Sequence, residues 1–172
     1  MSELDNYLAL RDRVDELCAG TCRRLAAEIS CRPGCDACCR HLSIFAVEAA
    51  ALAAELETLP ALQADLIRRK AAQAGADTPC PLLHEGLCLL YRARPIICRT
   101  HGLPLLIARE DGNEIDFCPE NFRGLKSIPG ADVIDLERLN ALLAAINAVY
   151  LKTVPDPERL TMAEALAHGD NR

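Results

Sequence analysis

The sequence predicts a mainly α fold with a small β-hairpin, a helical shell around irregular cysteine-rich metal-binding loops. Three observations carry that expectation. Hydrophobic residues make up 51% of 172, yet aromatics are only 3% and Trp is absent, so the core is built from aliphatic and small side chains that suit packed helices. Apolar residues recur at helical spacing in several segments. Between those segments lie stretches punctuated by Pro and Gly that hold most of the ten cysteines. The length suits one domain, residues 1–172, with a motif core at about 31–118 and helices on both sides.

Taken in order, residues 3–29 form a long amphipathic helix, with Leu4, Leu8, Val14, Leu17, Leu25 and Ile29 near helical spacing. Cys18 and Cys22 stand four apart on one face of it, where a plain core role is expected and metal ligation is the alternative, since positions four apart on a helix can chelate. Pro33 and Gly34 exclude a continuous helix over 30–42. Helices follow at 46–57 and 61–75, separated by Pro60. Residues 78–102 are expected to be irregular, with Pro79, Pro81, Gly86, Pro95 and Gly102. "LPLLIARE" and "EIDFC" flank "DGN", the pattern of a hairpin. A last long helix starts near Asp132 or Asp135 and ends about Tyr150, and "TMAEALAHG" forms a short helix capped by Thr161.

The formal net charge of −6 gives no general attraction to nucleic acid or to anionic membranes. The N-terminal segment is charged throughout, without the apolar core of a signal peptide, and no apolar run is long enough to span a bilayer. A cytoplasmic protein is expected. In that reducing compartment clustered thiols are metal ligands or redox groups more often than disulfides.

Eight cysteines fall in two blocks: Cys31, Cys35, Cys38 and Cys39, then Cys80, Cys88, Cys98 and Cys118. Cys35-x2-Cys38 is a chelating unit, since two intervening residues let both sulfurs reach one ion while backbone amides donate to them. Adjacent side chains diverge, so Cys38 and Cys39 do not easily ligate one ion together. Either one ligates while the other packs, or one bridges ions or serves a second centre. Eight thiols suffice for two four-thiolate sites or for one polynuclear centre with thiols to spare. His101, three residues after Cys98, is the histidine placed to complete a site. Arg32, Arg40, Arg92, Arg94 and Arg99 stand within a few residues of these cysteines and would offset thiolate charge. His41, His84 and His168 are read as ordinary polar residues.

"CRPGCDACC" followed by "CPLLHEGLCLLYRARPIICR" resembles the CxxCxxCC cysteine-cluster family, whose domain is described as zinc- or iron-chelating. The second block matches the family pattern at Cys80, Pro81, Gly86, Cys88, Tyr91, Arg94, Pro95, Cys98 and Arg99. The first spacing, Cys31-x3-Cys35, is one residue longer than the family's name implies. The resemblance implies metal binding, with zinc or iron, including an iron–sulfur cluster, as the cofactor. Beside that centre, Tyr91, Arg94 and Arg99 are expected to support the ligands, with Pro95 holding Arg94 extended.

Three functions follow as expectations. The first is a metal-binding protein with a closed, cysteine-ligated site and a protein partner the sequence does not identify. The second is a metal-dependent or redox enzyme with Arg, His or Tyr beside an open metal position. The third is a helical interaction module that zinc staples together. No P-loop, dinucleotide fingerprint or nucleophile motif is present, which weighs against the enzyme.

Overall fold

The computed structural model describes residues 2–75 and 77–167. The first helix, α1, runs Asp5–Arg24 and buries Tyr7, Val14, Cys18 and Thr21 along one face. It is shorter than the apolar stripe suggests. The backbone leaves helical geometry at Leu25, and a 3-10 turn, Ala26–Glu28, carries the chain toward the first cysteine loop. Helix α2, Ala46–Leu56, is almost entirely Ala, Val and Leu, and most of it is buried, as a helix apolar all round must be. Pro60 opens α3, Ala61–Ala72, which stops three residues short of the expected end.

The expected last long helix is α5, Leu136–Tyr150, and the Asp135 carboxylate caps it by accepting the Arg138 N–H at 2.9 Å. Helix α6, Met162–Ala167, packs on both α2 and α3. Thr161 caps it reciprocally with Glu164: the Glu164 N–H donates to Thr161 Oγ1 at 3.2 Å and the Thr161 N–H to Glu164 Oε2 at 2.7 Å. The end of the "TMAEALAHG" segment, His168 and Gly169, lies outside the described residues. No helix among the described residues is long and apolar enough to cross a membrane.

The sheets are small. Strand β1, Ser43–Phe45, pairs antiparallel with β7, Arg159–Thr161, so α2 and α6 leave the same two-stranded ladder. The expected hairpin is β4, Leu105–Arg109, with β5, Gly112–Asp116. Its turn falls at Glu110–Asp111, slightly ahead of "DGN", because Arg109 pairs with Gly112. Strand β6, Ile134–Asp135, joins β4 in parallel and leads directly into α5. Residues 78–102 are more regular than expected. They contain a second hairpin, β2 (Leu83–His84) with β3 (Leu87–Cys88), and a one-turn helix, α4 (Ile96–Thr100). Elements of two to five residues are too short for hydrophobic periodicity to register.

A buried carboxylate joins the helical core to α4. Glu48, only 3% exposed, accepts the Phe45 N–H at 3.1 Å and the Ile96 N–H at 2.8 Å. Burial raises its pKa, and the two amides hold it back. The neighbouring amides of α2 are also satisfied. Val47 N–H donates to Asn147 Oδ1 at 3.0 Å, and Ala46 N–H to the Glu158 carbonyl at 3.1 Å. Replacing Glu48 with Ala orphans two buried donors and should cost roughly 2–6 kcal/mol, since each costs about 1–3 kcal/mol. Urea unfolding would measure it, and a midpoint equal to that of the unmodified protein would refute the assignment.

Candidate metal centre

The first cysteine loop consists of consecutive turns. Pro33 and Gly34 occupy the corners of one: the Cys35 N–H donates to the Arg32 carbonyl at 2.9 Å and Gly34 has φ +91°. Pro followed by a residue at positive φ is the type II pattern. A second turn closes from Cys39 N–H to the Asp36 carbonyl at 2.8 Å, with Cys38 at its corner. The β2–β3 hairpin reverses at Glu85 and Gly86, with φ +50° and +76°, both left-handed as a type I′ turn demands. Cys80 precedes this hairpin and Cys88 ends it.

The two loops meet. The Cys80 N–H donates to the Cys39 carbonyl at 3.3 Å, and Arg40 pairs with Pro79 as an isolated antiparallel bridge. At the tips, a Cβ added to Gly86 would stand 3.2 Å from the Gly34 Cα. Cys39 is thereby held beside Cys80 and Cys88.

Cys98 arrives on α4. Pro95 holds Arg94 extended, at φ −49° and ψ 137°, as expected. The amide clasped by Glu48 belongs to the first residue of α4. Arg99 is buried and uses its whole fork on protein oxygens. Its Nε donates to the Arg94 carbonyl at 2.6 Å, Nη2 donates to the Arg92 carbonyl, and Nη1 binds Asp15 Oδ1 at 2.6 Å. Arg99 therefore fastens the loop before α4 to α1. Arg94 donates to the Tyr91 and Cys98 carbonyls at 3.1 and 3.3 Å and lies 3.6 Å over the Tyr91 ring. Tyr91 is 62% exposed and packs on this guanidinium.

Cys118 follows β5 and is set by Asn121, a buried residue the sequence reading passed over. The Asn121 amide donates to the Gly102 carbonyl at 2.8 Å and accepts the Ser30 N–H at 2.9 Å, while its backbone N–H donates to the Cys118 carbonyl at 2.9 Å. One side chain thus ties the residue before Cys31 to the turn that carries Cys118. No local pattern marks this role, because its partners lie 19 and 91 residues away.

Electrostatic proximity sorts the thiols. Burial raises the Cys31 pKa, followed by Cys35, Cys38 and Cys118. Burial pushes Cys39 up to about 11, with Cys38, Cys80 and Cys88 adding to it. It pushes Cys98 up to about 12, aided by Cys80 and Cys88, while Arg94 opposes. Cys80 and Cys88 are also raised by burial, but the amides of Leu82 and Leu83 face the Cys80 sulfur, and that of Leu90 the Cys88 sulfur, and favour thiolate.

All ten cysteines are free thiols. Among the described residues, no three Cys, His, Asp or Glu side chains converge closely enough to hold an ion. The donor set nevertheless fits thiolate-bound zinc or iron: soft ligands of one type in two neighbouring groups, with amides aimed at two of the sulfurs. His101 caps α4 at the mouth of a cleft of about 780 Å³ that also exposes Cys98 and Cys31. His41 is structural: Nδ1 lies 2.9 Å from the Gly75 carbonyl and Nε2 accepts the Ala163 N–H at 3.2 Å. Of the α1 pair, Cys18 is buried as expected, but Cys22 is exposed, because in that turn of the helix Thr21 takes the core-facing position.

The model of the CxxCxxCC family, described as a putative zinc- or iron-chelating domain, matches residues 30–119, more than half of the chain. The chain belongs to the CxxCxxCC family. No curated protein and no solved structure matches it. The family match takes in all eight cysteines from Cys31 to Cys118 and leaves Cys18 and Cys22 outside.

Two predictions follow from this geometry. Gly86→Ala puts a side chain against Gly34 at a left-handed backbone position and should cost about 1–2 kcal/mol, read by urea unfolding. Stability equal to the parent would show that the tips do not press together. The second concerns pH. Burial raises the Cys18, Cys39 and Cys98 pKa values above the ordinary 9.0, so the folded metal-free chain keeps protons that the unfolded chain releases. The stabilisation is complete below about pH 9 and is lost as pH climbs toward 12. Chelator-treated protein should therefore show a falling urea midpoint above pH 9, and a flat midpoint between pH 8 and 11 would contradict the burial.

Proposed function

We propose that this CxxCxxCC protein holds zinc or iron through two adjoining four-cysteine groups. Cys39, Cys80, Cys88 and Cys98 form one, and Cys31, Cys35, Cys38 and Cys118 the other. The observation that supports the reading is the neighbourhood of each thiol: Cys31 lies near Cys35, Cys38 and Cys118, Cys98 lies near Cys80 and Cys88, and Cys39 lies near Cys80 and Cys88 as well as its chain neighbour Cys38, where the two groups adjoin. In this arrangement the adjacent pair Cys38 and Cys39 is divided between the groups, which suits side chains that diverge. Bound metal would supply cross-linking charge, drawing the turns inward so that binding free energy becomes folding free energy. Arg94 sits near Cys88 and Cys98 and offsets part of the thiolate charge.

A metal-dependent or redox enzyme is the second reading. It is favoured by the cleft beside Cys98, whose lining includes Tyr91, Arg94, Arg99 and His101. A centre closed by four thiolates leaves no position for substrate, whereas an enzyme keeps one open.

Anaerobic purification, metal and sulfide analysis and an absorption spectrum test the proposal. With zinc, the protein should be colourless and contain about two ions, one per four thiolates. With iron and sulfide it should be brown. Cys88→Ser and Cys35→Ser should each remove about half of the metal, and the double variant all of it. A protein free of metal, or one whose metal survives both changes together, would overturn the reading. Complete loss from each single variant would replace two sites by one shared centre.

A further inference from the structure

Cys18 and Cys22 stand outside the family match, which begins at residue 30. They are one turn apart on α1, and both open on the cleft of about 780 Å³ that Cys31, Cys98 and His101 also line. Residues four apart on a helix have their Cβ atoms about 5–6 Å apart. With metal–sulfur bonds of about 2.3 Å, two such thiolates reach one ion without unwinding the helix. The nearest carboxylate on the same helix, Asp15, is occupied by the Arg99 guanidinium. The pair therefore offers two donors and leaves the remaining positions to water. A two-donor chelate is weak and exchanges quickly, unsuited to retaining metal and suited to receiving it.

What lies opposite gives the pair a use. Helix α4 packs on α1, which brings Cys98 to the cleft, and the first cysteine loop brings Cys31. Each belongs to a different one of the two cysteine groups, so both groups share one opening with the α1 pair. Cys22 is exposed and Cys18 is buried, a gradient from solvent toward the interior.

We propose that Cys18 and Cys22 form a transient docking site for a soft divalent cation, which passes across the cleft to Cys31 and Cys98. The inference rests on the reading of the family cysteines as metal ligands. On capture, two S–H bonds give way to two metal–sulfur bonds, two waters leave the ion, and two protons go to solvent. On transfer, the bonds to Cys18 and Cys22 break one at a time as thiolates of the receiving group replace them. The receiving thiols release their protons, and Cys18 and Cys22 take protons back. No electron changes hands.

The test uses full-length, metal-free protein and cadmium ion supplied from a nitrilotriacetate buffer, with loading followed by stopped-flow through the ultraviolet thiolate-to-cadmium absorption. The buffer is set so that a two-thiol site stays empty at equilibrium. Cys22→Ser, at an exposed position, and Cys18→Ser/Cys22→Ser should reach the same final stoichiometry as the parent but load roughly tenfold or more slowly, because the held ion no longer meets its acceptors intramolecularly. Circular dichroism of each variant confirms that α1 is intact. Equal loading rates would overturn the proposal. So would a lower final stoichiometry, which would make the pair ligands of the resident centre. Failure of the underlying reading looks different: Cys35→Ser/Cys98→Ser would then bind as much cadmium as the parent.

Discussion

The Glu48 carboxylate is the join on which the arrangement depends. It belongs to α2, the most apolar helix of the core, yet one of its oxygens holds the first amide of α4. Pro95 has no N–H, so the Ile96 amide is the first that α4 presents, and no other acceptor takes it. Burying a carboxylate this deeply is unfavourable by itself. Two amides and the more distant Arg159 and Arg99 charges offset that cost. What the protein gains is direction. A five-residue helix cannot orient itself, and Glu48 fixes the end from which Cys98 and Arg99 project.

The same economy of means holds the loops. Each is ordered by a few contacts that cross large sequence distances: Cys80 to Cys39, Gly86 against Gly34, Asn121 to Ser30 and Gly102, Arg99 to Asp15. None extends into a long ladder or a helix with its own apolar face. These contacts place the sulfurs in neighbourhoods but do not close them into a shell, since no three donors converge among the described residues. An arrangement that brings thiols close without completing the site leaves the last step of ordering to whatever the thiols hold.

Helices α1, α2, α3, α5 and α6 were legible because each carries a stripe or a stop that acts locally, whereas the one-turn α4 carries neither. Pro60 before α3, Asp135 before α5 and Thr161 before α6 are signals within one turn of their effect. The β1–β7 ladder, the β2–β3 hairpin and the parallel pairing of β6 were not, because strands of two or three residues show no alternation, and the partners of β1 and β6 come from elsewhere in the chain. Glu85 hid the second hairpin, since a charged residue at positive φ is not a usual turn signal. In the candidate site, the cysteines and their spacing were plain. Arg99 was expected to face sulfur, because it adjoins Cys98 in sequence. Its buried fork instead serves two carbonyls and Asp15, 84 residues away. Asn121 and Glu48 act through contacts that no window of sequence contains.

Depth varies among the eight family cysteines. Cys31 and Cys35 are exposed, whereas Cys38, Cys39, Cys80, Cys88, Cys98 and Cys118 are partly covered, and burial pushes Cys98 furthest, up to about 12. A thiol held protonated by burial must lose that proton before its sulfur ligates, so the deeper thiols resist the first metal–sulfur bond more strongly. Once one ion is in place, its two positive charges reverse that penalty for the remaining thiols. The first bond is then the demanding step, and it is easiest at the shallow cysteines. Cys38 lies beside both Cys31 and Cys39.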